Sequence, residues 1–167
     1  MLLIFDQLRQ LDFSLLMAVY EESNRENGAE FYHNLPEGQQ LLEVEQDFYN
    51  YLRTGFFTET ADRYCIWQEN GMYVSALRLQ CYQDGLLLEA LETHPQYRRQ
   101  GYAKQLILAA LETVECGKVY VHISRRNRAS IATHICCGFR KILDYGIYAD
   151  GSVNHYTDTY LYEKPTL

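Results

Sequence analysis

Thr93-His94-Pro95-Gln96-Tyr97-Arg98-Arg99-Gln100-Gly101-Tyr102-Ala103-Lys104 decides how the rest of the chain is read. The apolar run Leu86-Leu87-Leu88-Glu89-Ala90-Leu91 precedes it as a strand, and a helical pattern opens near Gly101. A strand entering a helix through such a loop leaves the first helical N–H groups free, at the positive end of the helix dipole. That junction suits an anion. Gly101 and the small Ala103 let main chain approach a bulky ligand, and Arg98, Arg99 and Lys104 supply charge, so a phosphate-bearing ligand is expected. The loop is neither a Walker sequence nor a Gly-x-Gly-x-x-Gly fingerprint. A basic turn without a ligand is the plain alternative.

Working outward, Lys118–Ser124 reads as a β-branched strand, and the helix between it and Gly101 is expected to stop at Gly117. That connection is long enough for a right-handed parallel crossover. Upstream, Tyr64–Gln68 and Met72–Tyr82 alternate as strands around the hairpin signal Asn70-Gly71, with a second turn at Asp84-Gly85. Met1–Phe5 reads as a short strand, and helical spacing covers Asp12 to Phe31 and Gly38 to Leu52. Downstream, Asn127 is placed to cap a short helix ending at Gly138. Arg140–Tyr148 and Val153–Tyr162 then form a hairpin around Asp150-Gly151. The expected fold class is α/β, or α+β layered, with a mixed, mostly antiparallel central sheet and helices on its faces.

Length and charge limit the function. The 167 residues contain no repeat, linker or low-complexity tract and read as one domain over 1–167. A net charge of −7 argues against a nucleic-acid binder. The charge is segregated: residues 1–60 carry 11 acidic and 3 basic side chains, whereas residues 94–141 carry 2 and 9. This suits an anionic ligand near the second block and a cationic, polyamine-like one near the first, although solvated faces would look the same. Five cysteines, none in a CxxC pair, suggest reduced thiols and neither a disulfide framework nor a metal site. Met1–Phe5 lacks the basic flank of a signal peptide, and no apolar run reaches membrane-span length, so the expectation is a cytoplasmic protein with no membrane partner.

Arg98-x-x-Gly101-x-Ala103 after a strand resembles the pyrophosphate-binding signature of the GNAT superfamily of acyl-CoA N-acyltransferases, Gln/Arg-x-x-Gly-x-Gly/Ala. Asn127-x-x-Ser130-Ile131 followed by Gly138-Phe139 is similar to that family's Asn-x-x-Ala-Ile…Gly-Phe helix. The resemblance covers about residues 86–140 and implies the acyl-CoA N-acyltransferase fold, in which the strand at 86–93 splays from that at 118–124. It implies acetyl-CoA as cosubstrate and no metal. The main chain of Leu91 and Thr93 would pair with pantetheine, and the amides of Arg99, Gln100, Gly101, Tyr102 and Ala103 would cradle pyrophosphate beside Arg98 and Lys104. Asn127, with Ser130 behind it, would contact the cofactor arm as well as cap its helix.

The mechanism implied is direct attack of an amine on the thioester, with the Leu91 N–H as oxyanion donor. For the base there are three candidates. Glu89 lies four residues before Thr93, where several small-amine acetyltransferases place theirs. Glu92 falls on the opposite strand face by simple alternation, unless a bulge alters that facing. His122 lies five residues before Asn127. The family's usual acid, a Tyr seven residues after the Asn, is here His134, which either protonates the thiolate or lines the channel. The acceptor is an amine of a small molecule or peptide, in a pocket expected from residues 24–40, 55–62 and 146–156. Rival functions are an acyl-CoA sensor without turnover and a structural oligomerisation domain; a homodimer fits any of them. The oligomerisation reading explains the Tyr-rich C-terminal strands but leaves the basic loop without purpose.

Overall fold

The computed structural model describes residues 1–148 and 150–165. Its strands are β1 (Leu2–Phe5), β2 (Arg63–Glu69), β3 (Met72–Tyr82), β4 (Gly85–Thr93), β5 (Lys118–Ser124), β6 (Arg140–Leu143), β7 (Gly146–Ile147), β8 (Val153–Asn154) and β9 (Thr157–Glu163). Seven of them form one sheet in the order β1-β2-β3-β4-β5-β9-β6, and a two-residue ladder joins β7 to β8. All neighbours in the large sheet are antiparallel except β4 and β5.

The two faces of the sheet are covered differently. Helices α1 (Phe13–Val19), α2 (Glu21–Phe31) and α3 (Glu37–Thr54) lie on one, where Leu16, Val19, Leu52 and Phe56 pack on Tyr64, Ile66 and Tyr73. Helix α4 (Tyr102–Thr113) and α5 (Arg128–Cys136) lie on the other, where Leu106 and Ile107 pack on Leu77, Leu79, Leu88 and Val121. The mixed, layered α/β class expected from the sequence is the class observed.

Three boundaries differ from the sequence reading. The helix expected over Asp12–Phe31 breaks at Tyr20 (φ −94°, ψ 8°), so that α1 packs on the sheet while α2 leans on α3. At that second crossing a Cβ built on Gly28 would stand 3.1 Å from the Gln40 Cβ, so the glycine sets how closely α2 and α3 approach. Helix α4 ends at Thr113, four residues before Gly117, because Val114 turns extended (φ −78°, ψ 127°) and packs into the core. The closing hairpin is interrupted at Asp144-Tyr145, and its tip forms the separate β7–β8 ladder.

The feature that positions the site is a bulge in β4. Arg78 pairs with Glu89 and Ala76 with Glu92, so Ala90 and Leu91 together oppose the single Leu77. Ala90 has φ 50°, a left-handed value that disfavours any residue with a Cβ. Its carbonyl accepts a hydrogen bond from the Tyr20 hydroxyl (2.6 Å), which accepts one from the Tyr64 hydroxyl (2.8 Å). Tyr20 and Tyr64 are buried, so the bond between their hydroxyls is shielded from solvent. Tyr20→Phe is therefore expected to lower unfolding free energy by ~1–3 kcal/mol, because it strands the buried Tyr64 hydroxyl and frees the Ala90 carbonyl; denaturant titration of both proteins checks this.

Candidate active site

β4 and β5 pair over only three positions, Leu86↔Val119, Leu87↔Tyr120 and Leu88↔Val121. They begin in close contact: a Cβ on Gly85 would lie 2.3 Å from the Lys118 carbonyl oxygen, which only glycine avoids. Beyond Leu88 the strands part, and β5 continues on β9 alone. The parting opens a cleft of about 190 Å³ whose walls include Glu89, Ala90 and Leu91 from β4, His122 from β5, and Asn127, Ser130 and His134 around α5.

A groove of about 680 Å³ lies at the end of β4. It is lined by Leu91 and Thr93 from the strand, Arg98, Arg99 and Gly101 from the loop, and Tyr102, Ala103 and Lys104 from the first turn of α4. Asn127 and Ser130 close the far side. Arg99 (φ 62°) and Gly101 (φ 84°) both adopt left-handed backbone, which turns the chain sharply into the helix. The first intrahelical bond is Gln105 N–H to the Gly101 carbonyl (3.0 Å), so the amides of Tyr102, Ala103 and Lys104 have no helical acceptor. No side chain of residue 101 caps them either.

Two loop residues behave differently from the rest. Gln100 points back along the loop, its Nε2 donating to the Gln96 carbonyl (3.4 Å). Arg98 turns toward α2: its guanidinium donates to Glu22 (2.5 Å) and to the Thr93 carbonyl (3.2 Å), with Glu92 at 4.0 Å. The charge nearest the groove is left to Arg99 and Lys104. Asn127 accepts the Ser130 amide proton at Oδ1 (3.0 Å) and thus caps α5.

The bulge brings Glu89 and Glu92 to the same face of the sheet, where alternation would have separated them. Glu89 stands 3.6 Å from the Arg78 guanidinium, which lies over the rings of Tyr51 (4.8 Å), Phe56 (5.5 Å) and Phe48 (5.9 Å). Burial raises the Glu89 pKa, and Arg78 opposes that rise. Burial likewise raises that of Glu92, with Arg98 opposing and Glu22 and Glu26 reinforcing.

Both ring nitrogens of His122 are engaged. Nε2 donates to the Ile147 carbonyl (2.9 Å), and Nδ1 meets the Thr159 hydroxyl (2.9 Å). Gly146 fits against this ring, where a Cβ would come within 3.1 Å. His134 is 1% exposed, and its Nδ1 donates to the Ser130 carbonyl (2.8 Å). The proton is thereby fixed on Nδ1, and Nε2 carries a lone pair with no hydrogen-bond partner among the described residues. Burial lowers the pKa of both histidines, opposed at His122 by its bond to the Ile147 carbonyl and at His134 by its bond to the Ser130 carbonyl.

A third opening, about 420 Å³, lies between α2, α3 and the bulge. Tyr20, Asn24, Val44, Phe48, Ala90 and Glu92 are among its walls. Ala90 is shared with the strand cleft and Glu92 with the loop groove, so the three openings meet at the bulge. The sequence reading missed Tyr20, Val44 and Phe48, which look like ordinary core positions. Of the segments expected to shape a pocket, 24–40 contributes Asn24, Asn27, Phe31 and Tyr32. From 146–156, Gly146 and the Ile147 carbonyl hold His122, while 55–62 is folded around Asp62, which accepts from the Thr58 and Glu59 amides. Among the described residues no helix is long and apolar enough to cross a membrane, and no group of three or more His, Cys, Asp or Glu could hold a metal ion.

A parallel strand pair that splays beside a helix N-terminus with free amides defines the acyl-CoA transferase class of layered α/β folds. The chain belongs to the acetyltransferase (GNAT) family, whose family model matches residues 15–139. Its fold is similar to that of the PaiA N-acetyltransferase from Thermoplasma acidophilum solved with coenzyme A, at 12% identity, TM-score 0.63 and 98% and 99% of the two chains. It is similar as well to the ribosomal-protein-S18-alanine N-acetyltransferase of Escherichia coli (20% identity, TM-score 0.56, 96% and 91%). The IAA acetyltransferase of Bacillus cereus is a third such structure (15% identity, TM-score 0.60, 98% and 100%). At these identities the likeness is one of fold. Among curated proteins none gives a significant match.

The depressed histidine pKa values give a pH dependence of stability. Below an unfolded value of ~6.5 the unfolded chain takes up a proton that the folded ring resists, so stability falls as pH falls, by at most ~1.4 kcal/mol per pH unit for each ring. Denaturant titration between pH 7.5 and 5.5 is expected to show this loss, with a smaller slope in His134→Phe.

Proposed function

We propose that the protein, with residues 1–167 acting as one domain, transfers an acetyl group from acetyl-CoA to a primary amine while both are bound. The observation carrying this reading is the meeting of the loop groove, the strand cleft and the helix cavity at Ala90 and Glu92. One anion-binding groove and one separate cavity converge where β4 has lost its β5 partner. Acetyl-CoA supplies the acyl group as a thioester.

The chain's own residues fall into roles around that point. The amides of Tyr102, Ala103 and Lys104, with the Arg99 and Lys104 charges, hold the pyrophosphate, and Leu91 and Thr93 offer unpaired strand edge to the pantetheine arm. The Leu91 N–H stabilises the developing oxyanion. Glu89 takes the proton of the substrate ammonium, directly or through water; burial raises its pKa, which makes it a better base than an exposed carboxylate, and Arg78 opposes that rise. An N–C bond forms as the C–S bond breaks, and the second amine proton passes through water to the departing sulfur. His134, with its Nε2 buried and unpartnered, lines the cleft wall, and His122 braces it. A cytoplasmic setting belongs to this proposal, supported by cysteines that stand as free thiols.

Two observations favour a second reading, a sensor that binds acyl-CoA without turnover: the ring nitrogens of both histidines are engaged or buried, and Glu89 is already ion-paired. Release of coenzyme A thiol with a panel of amines separates the two. The catalytic reading predicts release with at least one amine, and binding without any release overturns it.

Gly101→Val is expected to reduce acetyl-CoA affinity at least ~10-fold, because a β-branched residue resists the left-handed backbone and covers the amides. Titration calorimetry on the folded variant checks it. Glu89→Gln is expected to lower kcat by ~10²–10⁴ with acetyl-CoA affinity unchanged. In the wild type the acidic limb of kcat/KM is expected above the ordinary carboxylate value of ~4.3, and to disappear in Glu89→Gln.

A further inference from the structure

The cavity between α2 and α3 has a chemistry of its own. Its walls are mainly rings and aliphatic carbon, from Tyr20, Phe31, Tyr32, Val44 and Phe48. Two carboxylates stand at its limits. Glu92 lies at the junction with the loop groove, and Asp47, which accepts a hydrogen bond from the Tyr32 hydroxyl, lies on α3. The helices around it are strongly acidic: residues 21–48 hold eight Asp and Glu against one Arg. That cation, Arg25, is taken up by Glu21 (3.0 Å) and Glu37 (3.2 Å). Arg98, the nearest cation on the cofactor side, is taken up by Glu22. Arg78, over the Phe48 ring, is matched by Glu89 (3.6 Å), so carboxylates are in excess around a cavity whose walls are mostly apolar, with Ser23, Asn24 and Asn27 among them.

We infer, resting on the acetyl-transfer reading, that this cavity selects a small primary amine whose single ammonium is carried on an aromatic or branched aliphatic body. The ammonium is drawn to Glu92 and presented beside Ala90, and the body lies among Phe31, Val44 and Phe48. Charge complementarity excludes anionic and zwitterionic acceptors, in which a carboxylate would face Glu92 or Asp47. The apolar walls disfavour a polyamine, whose further ammonium groups would lose hydration against rings that return little of it. A volume of about 420 Å³ lies within the ~300–1,000 Å³ usual for small-molecule pockets and accommodates one ring and a short side chain. Glu92 has the Arg98 guanidinium only at 4.0 Å, a contact that Arg98 shares with Glu22, and burial raises its pKa.

The test compares phenethylamine, cyclohexylmethylamine, spermidine and an alanine-initiated tetrapeptide as acceptors for the whole chain with acetyl-CoA. The two apolar amines are expected to exceed the others at least ~10-fold in kcat/KM, the usual reach of a hydrophobic pocket. Asn27→Trp, at the exposed rim of α2, and Val44→Trp, in the wall, should each raise the phenethylamine KM at least ~10-fold with little change in kcat. Acetyl-CoA affinity within about 2-fold of wild type serves as the folding control. Preference for spermidine or the peptide, or an unchanged phenethylamine KM in a folded Asn27→Trp, overturns the inference and leaves acetyl transfer standing. If no amine releases thiol, acetyl transfer falls. Calorimetry of phenethylamine on the acetyl-CoA-loaded protein then decides the cavity: binding lost in Asn27→Trp supports it, and no binding overturns it.

Discussion

The site depends on one residue held in a conformation it does not favour. Ala90 sits at a left-handed backbone angle, at a cost of about 1–3 kcal/mol, and two buried tyrosines hold its carbonyl. Three properties of the protein arise from that single insertion. The strand loses step with β3, so that two carboxylates share a face. It diverges from β5, so that a cleft opens in what would otherwise be a continuous sheet. Its carbonyl turns toward the helical layer and ties that layer to the strand. An unbulged β4 would keep the sheet and lose the site.

Electrostatic segregation along the chain becomes segregation in space. The acidic N-terminal helices wall one opening and the basic loop rims another, with β4 between them. Arg98 joins the two regions. Its ion pair with Glu22 ties the loop to α2, so the residue that begins the loop signature serves as a brace across the site. The proposed anion site rests on main-chain amides, which depend on the loop's backbone shape more than on any one cation.

What was legible in the sequence was whatever depends on local chemistry. Asn70-Gly71 gave its turn, with both residues at positive φ, and Gly101 opened a helix with free amides. Alternating β-branched residues gave β5, and the arginine–glycine–alanine spacing gave the groove. What escaped depends on partners distant in sequence. Nothing near Tyr20 announces a helix break, because the hydroxyl that fixes it bonds to a carbonyl 70 residues away. The residues Leu88-Glu89-Ala90-Leu91 do not themselves announce a bulge, since alanine is a poor choice for positive φ; only the family resemblance raises one, and the tyrosine pair accounts for it. The tautomer of His134 likewise depends on a carbonyl one helical turn back, and its meaning on burial that one sequence does not reveal.

The close crossing of α2 and α3 at Gly28 has a consequence for how such a protein diversifies. Cofactor recognition is carried by strands and by the start of α4, whereas the cavity is bounded mostly by two helices whose separation is fixed where Gly28 meets Gln40. A side chain at position 28 would act as a wedge between α2 and α3, felt on the donor side only through the Arg98–Glu22 pair. On the proposed reading, acceptor range and donor binding are thus coupled chiefly through that one ion pair. A lineage can drift in the first at little expense to the second, which makes the helical layer the adjustable part of an otherwise fixed machine.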